Sequence, residues 1–143
     1  MLIDIGANLT HDSFDHDFDA VLLSAHDAGV NQMVVTGASV KGSEQAAELA
    51  NRHEQLFATA GIHPHYAEET SRETIATLEG LLKNSRVKAV GETGLDFFRD
   101  FSPRPAQIKS FEQHIKLAIE TGLPMFLHER DAHSAFAELL SGY

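Results

Sequence analysis

Short apolar runs rich in β-branched residues alternate along this chain with stretches whose apolar positions recur every three or four residues. The runs Leu2–Ile5, Gln32–Thr36, Leu56–Gly61, Val87–Gly91 and Pro124–His128 read as strands, most of them closed by glycine or a polar residue. Between them, Phe14, Phe18, Val21, Leu22 and Ala25 keep helical spacing, as do Ile108, Phe111, Ile115, Ala118 and Ile119. Punctuation supports the alternation. Thr70 with Glu73 reads as a capping box, and Ser102 before Pro103 as an N-cap with proline in the first helical position. Gly29 and Gly122 stand where helices should end. The pattern predicts five βα units in one body spanning residues 1–143.

Two architectures accommodate five such units. One is a self-contained, doubly wound sheet of the flavodoxin type. The other is part of a (β/α)₈ barrel, which takes about 200 residues or more when whole. A length of 143 residues favours the first; the residues at the strand ends favour the second.

Those residues concentrate the polar chemistry. Asp4 and Asn8 follow the first strand, His63 and His65 the third, Glu92 and Asp96 the fourth, and His128, Arg130 and Asp131 the fifth. The second strand ends only in Thr36-Gly37-Ala38-Ser39. In parallel α/β folds this edge carries function. Imidazoles and carboxylates converging there suit a divalent metal: neutral histidine fits Zn²⁺ or Mn²⁺, carboxylates fit Mg²⁺. Each member has a plainer reading, Asp4 as a turn cap and Asp96 and Asp131 as helix N-caps. His16, His26, His53 and His114 fall in helical patterns and read as surface residues, while His11 and His133 carry no distinct signal. No Walker A sequence, no GxGxxG and no serine at a nucleophile elbow is present.

Charge sharpens the metal reading. Eleven basic against twenty-one acidic side chains give a net charge of −10. Such a surface does not hold nucleic acid by counterion release alone, so a phosphodiester substrate needs local positive charge. The same balance also serves solubility. The absence of cysteine excludes disulfides and thiolate metal sites. With no basic, apolar leader and no apolar run near the ~18 residues of a membrane span, the expectation is a cytoplasmic protein without membrane attachment.

Gly61-Ile-His-Pro-His65, Gly91-Glu-Thr-Gly-Leu-Asp-Phe97 and Leu127-His-Glu-Arg-Asp-Ala132 resemble three consecutive motifs of the TatD-type metal-dependent deoxyribonucleases, and the likeness runs along the whole chain from Ile3. The resemblance implies an α/β fold of the TIM-barrel kind, of which residues 1–143 are the N-terminal five of eight βα units. It implies hydrolysis of DNA, with RNA as an alternative substrate, from the 3′ end with a divalent ion, Mg²⁺ or else Mn²⁺ or Zn²⁺. Glu92 and His128 would be the catalytic metal ligands. His63, His65 and Arg130 would hold the substrate phosphate, and Asp4, Asn8 and Asp96 would lend support.

Three departures qualify the likeness. Many relatives carry Asp-x-His-x-His where this chain has Asp4-Ile-Gly-Ala-Asn8. Glu129 replaces a small residue, although strand alternation lets it point away from His128. The family's further His and Asp ligands come from the sixth and eighth strands, beyond the five units here. The expectations are therefore a parallel sheet in sequential order, Glu92 beside His128 on adjacent strands, weak metal binding and little activity from these residues alone. Open sheet edges would favour self-association or pairing with a complementary C-terminal half. The competing readings are a catalytically silent fragment and a flavodoxin-like binding module.

Overall fold

Sequential strand order decides between the two architectures. In the computed structural model, which describes residues 1–143, the strands are β1 (Leu2–Ala7), β2 (Val30–Val35), β3 (Leu56–Ala60), β4 (Val87–Asp96) and β5 (Met125–Arg130). They pair in parallel in the order β1-β2-β3-β4-β5. A doubly wound sheet would reorder its strands about a switch point; this one does not, which removes the flavodoxin-like reading. The sheet curls into a half-barrel. Helices α1 (Phe18–Asp27), α2 (Val40–Arg52), α3 (Arg72–Leu82), α4 (Arg104–Thr121) and α5 (His133–Ser141) follow the strands in turn.

Apolar strands against apolar helix stripes make the core. Val35, Leu56, Ala58, Ala60, Ile62, Leu78 and Val90 are fully buried. Alanines at 46, 47 and 50 of α2 join Ala58 and Ala60 of β3 in this core, and their small side chains permit close approach. A second cluster of Leu95, Phe111, Ile115 and Ala132 docks α4 and α5, with Phe136 stacked on Phe111 at 5.1 Å. At the edges, β1 leaves Leu2, Ile3 and Ile5 exposed and β5 leaves Leu127 exposed.

Several local expectations need correction. β4 does not stop at Gly91 but runs on to Asp96, pairing Gly94 with His128 and Asp96 with Arg130. The glycines permit this rather than ending the strand. Gly94 has φ +143°, and a Cβ there would lie 2.0 Å from the His128 carbonyl oxygen. The capping box before α3 is Ser71 with Thr74, one position later than read, and Glu73 accepts from the Ser71 hydroxyl instead. Ser102 is not a cap: Pro103 occupies that position, and the buried Ser102 donates to the His65 carbonyl. Asp131 does not cap α5 either, because Glu129 accepts the Ala132 N–H at 2.8 Å. Its carboxylate is thereby committed away from His128. Finally, His114 is not a surface residue. It shares the stripe of Phe111, Ile115 and Ala118 on α4 and is fully buried.

Candidate metal centre

The ends of β3, β4 and β5 bring His63, Glu92 and His128 together, with their ligand-capable atoms all within 4.8 Å of one another. The loop that braces them is the one with no chemistry of its own. Gly37 Oxygen, between β2 and α2, accepts the Glu92 N–H at 2.7 Å, and the Ala38 carbonyl accepts the His63 N–H at 2.9 Å. Gly37 N–H in turn donates to Thr59 Oγ1 at 3.0 Å. A Cβ at Gly37 would stand 2.5 Å from the Thr59 carbonyl oxygen, so only glycine fits. Beneath His63, Ser43 Oγ bonds both backbone groups of Gly61, and Ile62 N–H donates to His114 Nε2 at 3.0 Å. Buried backbone groups must find partners, and here those partners also fix the site. Sequence reasoning missed these residues; only His114 left a signal, in its helical spacing with buried neighbours.

Asp96 organises the imidazoles. It is 1% exposed and its Oδ2 lies 2.9 Å from His65 Nε2 and 3.1 Å from His128 Nε2. Its Oδ1 accepts the N–H groups of Phe98 and Arg99. Burial works to raise its pKa, but the Arg99 N–H, His65 and His128 outweigh it and hold the carboxyl at about 2. An ionised carboxylate only accepts. Both Nε2 atoms therefore carry hydrogen, which in neutral His128 leaves the Nδ1 lone pair facing Glu92 Oε1 at 3.4 Å. Two acceptors that close call for a proton or a cation between them.

His63 is oriented the opposite way. Its Nδ1 accepts the His65 N–H at 3.1 Å, so in the neutral ring Nε2 carries the hydrogen and points at Glu92 Oε1, 3.8 Å away. Burial, followed by the neighbouring His128 and His65, pushes its pKa down to about 3 against the opposing pull of Asp96. The hydrogen bonding thus divides the trio. Glu92 Oε1 and His128 Nδ1 are free as ligands, while His63 Nε2–H is a neutral donor beside them.

The fit to a divalent ion is good. Metal bonds of about 2.0–2.2 Å at ordinary coordination angles put two ligand atoms roughly 3–3.4 Å apart, and the Glu92–His128 separation is 3.4 Å. An imidazole nitrogen with a carboxylate oxygen suits Mg²⁺, Mn²⁺ or Zn²⁺. The pair opens beside a cleft of about 770 Å³ lined by Asn8, His11, Lys41, His63, Tyr66 and Glu92 among others. Asp4 is not drawn into the cluster; its carboxylate accepts the Gly6 N–H at 2.9 Å, as a turn cap does. Arg130 lies on the rim with its guanidinium 3.9 Å over the Phe98 ring.

Known proteins share this arrangement of sequence and fold. The family model described as TatD related DNase matches residues 3–143. A protein of Enterobacter lignolyticus named 3′-5′ ssDNA/RNA exonuclease TatD is 46% identical over 140 residues, covering 98% of this chain and 54% of that protein. Its namesake in Cronobacter sakazakii is 45% identical over 139 residues, with 97% and 53% covered. Among solved structures, a TatD homologue of Escherichia coli superposes with a TM-score of 0.91 at 31% identity, covering 99% of this chain and 55% of that one. A TatD-family hydrolase of Entamoeba histolytica gives 0.88 at 28% identity, with 99% and 54% covered. The chain spans about half the length of the curated relatives it matches.

Proposed function

The chain belongs to the TatD-related DNase family, and from that membership we propose that residues 1–143 are the N-terminal five βα units of a metal-dependent hydrolase acting on single-stranded nucleic acid. The proposed reaction removes nucleotides from the 3′ end of DNA, with RNA as an alternative substrate, in the cytoplasm. No helix is long and apolar enough to cross a membrane. The relatives' names supply the substrate and polarity. The observation that carries the reading is the His128 Nδ1–Glu92 Oε1 pair, two acceptors 3.4 Å apart beside an open cleft.

Glu92 and His128 are the residues that would hold the ion. When bound, Mg²⁺ (or Mn²⁺ or Zn²⁺) supplies Lewis acidity to a phosphoryl oxygen and lowers the pKa of water. His63 donates its Nε2–H to a phosphate oxygen from a ring that stays neutral at physiological pH. His65, anchored to Asp96, stands behind it at a ring separation of 4.2 Å. Arg130 adds a positive charge on the rim, and Asn8 offers an amide to the cleft. An acidic protein can act on a polyanion this way because its positive charge is local. The test is nucleotide release from 3′- and 5′-labelled single-stranded DNA and RNA with Mg²⁺ or Mn²⁺. For residues 1–143 within the complete barrel, the expected result is metal-dependent release from the 3′ end, abolished by Glu92→Gln. Hydrolysis that survives both chelation and Glu92→Gln would overturn the proposal.

A further inference from the structure

Exposed aromatic rings are few on this surface, and they are not scattered. Tyr66, Phe98, Phe101 and the last residue, Tyr143, are the only large exposed ones. The first three stand on the loops around the candidate metal centre, Tyr66 after β3 and the two phenylalanines after β4. Phe98 is 58% and Phe101 62% exposed. Apolar rings left in water gain when a ligand covers them, so their position asks for a ligand.

Their neighbours say which kind. Phe101 packs edge-on against His65 at 4.7 Å, which makes it continuous with the site. Arg130 lies over the Phe98 ring at 3.9 Å and Arg99 over the Phe101 ring at 5.8 Å. Neither arginine forms an ion pair; among the lysines and arginines only Arg52, Lys83 and Arg104 do. Asp100, the carboxylate between the two rings, is taken up by Arg104 through both oxygens. In a protein of net charge −10, two guanidiniums without carboxylate partners beside two largely exposed rings are complementary to one ligand class. Unpaired bases offer π faces to stack, and their phosphates offer the anions. A duplex keeps its bases stacked inside and offers only the phosphates.

We propose that Phe98 and Phe101, with Arg130 and Arg99 beside them, form a stacking platform for unpaired bases that seats a single strand next to the hydrolytic centre without reading its sequence. The inference rests on the nucleic-acid reading above and adds the means of single-strand selection.

Binding can be tested without turnover, by fluorescence anisotropy of a labelled oligothymidylate in EDTA. The variant is Phe98→Leu/Phe101→Leu, which keeps apolar bulk in the loop but removes both π faces. Stacking is worth ~1–3 kcal/mol per base, so affinity for the single strand should fall about tenfold or more. Wild-type protein should bind an abasic strand of equal length as weakly as the variant binds the normal one, and duplex affinity should not change. Equal affinity of variant and wild type for the single strand would overturn the platform, as would tight wild-type binding of the abasic strand. Loss of self-association with oligonucleotide affinity intact would show that a protein surface covers the patch, and would also overturn it. If wild type cleaves DNA while the variant binds normally, only the platform falls. If the complete barrel neither binds nor cleaves, the nuclease reading falls with it.

Discussion

Replacing Asp96 by asparagine should weaken metal binding without touching a ligand. Asp96 Oδ1 accepts two backbone N–H groups, from Phe98 and Arg99, so the amide oxygen of asparagine takes that place. Its NH₂ then occupies the position of Oδ2, which faces His65 Nε2 at 2.9 Å and His128 Nε2 at 3.1 Å. A donor now meets two donors. The relief available to His128 is to move its hydrogen to Nδ1, and that blocks the nitrogen facing Glu92 at 3.4 Å. Loss of such an outer partner costs roughly 10–100-fold in metal affinity. The two charge-assisted bonds are worth about 1.5–3 kcal/mol each. Since His65 is partly exposed and water can replace its share, the fold should lose about 2–3 kcal/mol. Mn²⁺ titration by calorimetry gives the affinity, urea denaturation the stability, and long-range ¹⁵N NMR the tautomer. The expected tautomer is Nε2–H for His128 in wild type and Nδ1–H in Asp96→Asn. Undiminished Mn²⁺ affinity, or an unchanged tautomer, would refute the reasoning.

Two further outcomes follow from the same geometry. Gly37→Ala drives a Cβ into the Thr59 carbonyl and displaces the carbonyls that hold the Glu92 and His63 N–H groups; it should lower both thermal stability and Mn²⁺ affinity, and wild-type values for both would contradict the bracing role of that loop. Burial pushes the His114 pKa below its usual 6.5, against the pull of the Ser110 carbonyl. The unfolded chain takes up that proton near 6.5 while the folded chain does not, so stability is full above the unfolded pKa and is lost as pH falls from there toward the folded value. Stability should therefore fall as pH drops through the unfolded value near 6.5, and His114→Asn should flatten the urea-denaturation profile of metal-free protein there; an unchanged slope would contradict the assignment.

The strands and the polar rim were legible because strands of a parallel sheet are short apolar runs and function gathers at their C-terminal ends; the sequential order followed from the residues at those ends and the family likeness, not from the runs. What escaped reading shares a physical cause. Gly91 reads as a terminator, yet it and Gly94 are the positions where β4 comes against the β5 backbone, so the strand continues. Gly37 and Ala38 act through carbonyl oxygens, which every residue carries and no motif marks. His114 could have been placed from its spacing with Phe111, Ile115 and Ala118, since a polar residue on an apolar stripe is buried when partners exist, here Ile62 N–H and the Ser110 carbonyl. Asp96 reads as a helix N-cap or a supporting site residue; it caps no helix, since Pro103 precedes α4, and instead one oxygen serves a turn and the other the two imidazoles.

The most direct test of the central claim is the position of Mn²⁺ in a crystal of the protein, located by anomalous scattering. The account predicts an ion bonded to Glu92 Oε1 and His128 Nδ1 at about 2.0–2.3 Å, with His63 Nε2 outside bonding distance and free to donate. An ion that avoids the Glu92–His128 pair, or no ion at saturating Mn²⁺, would contradict it.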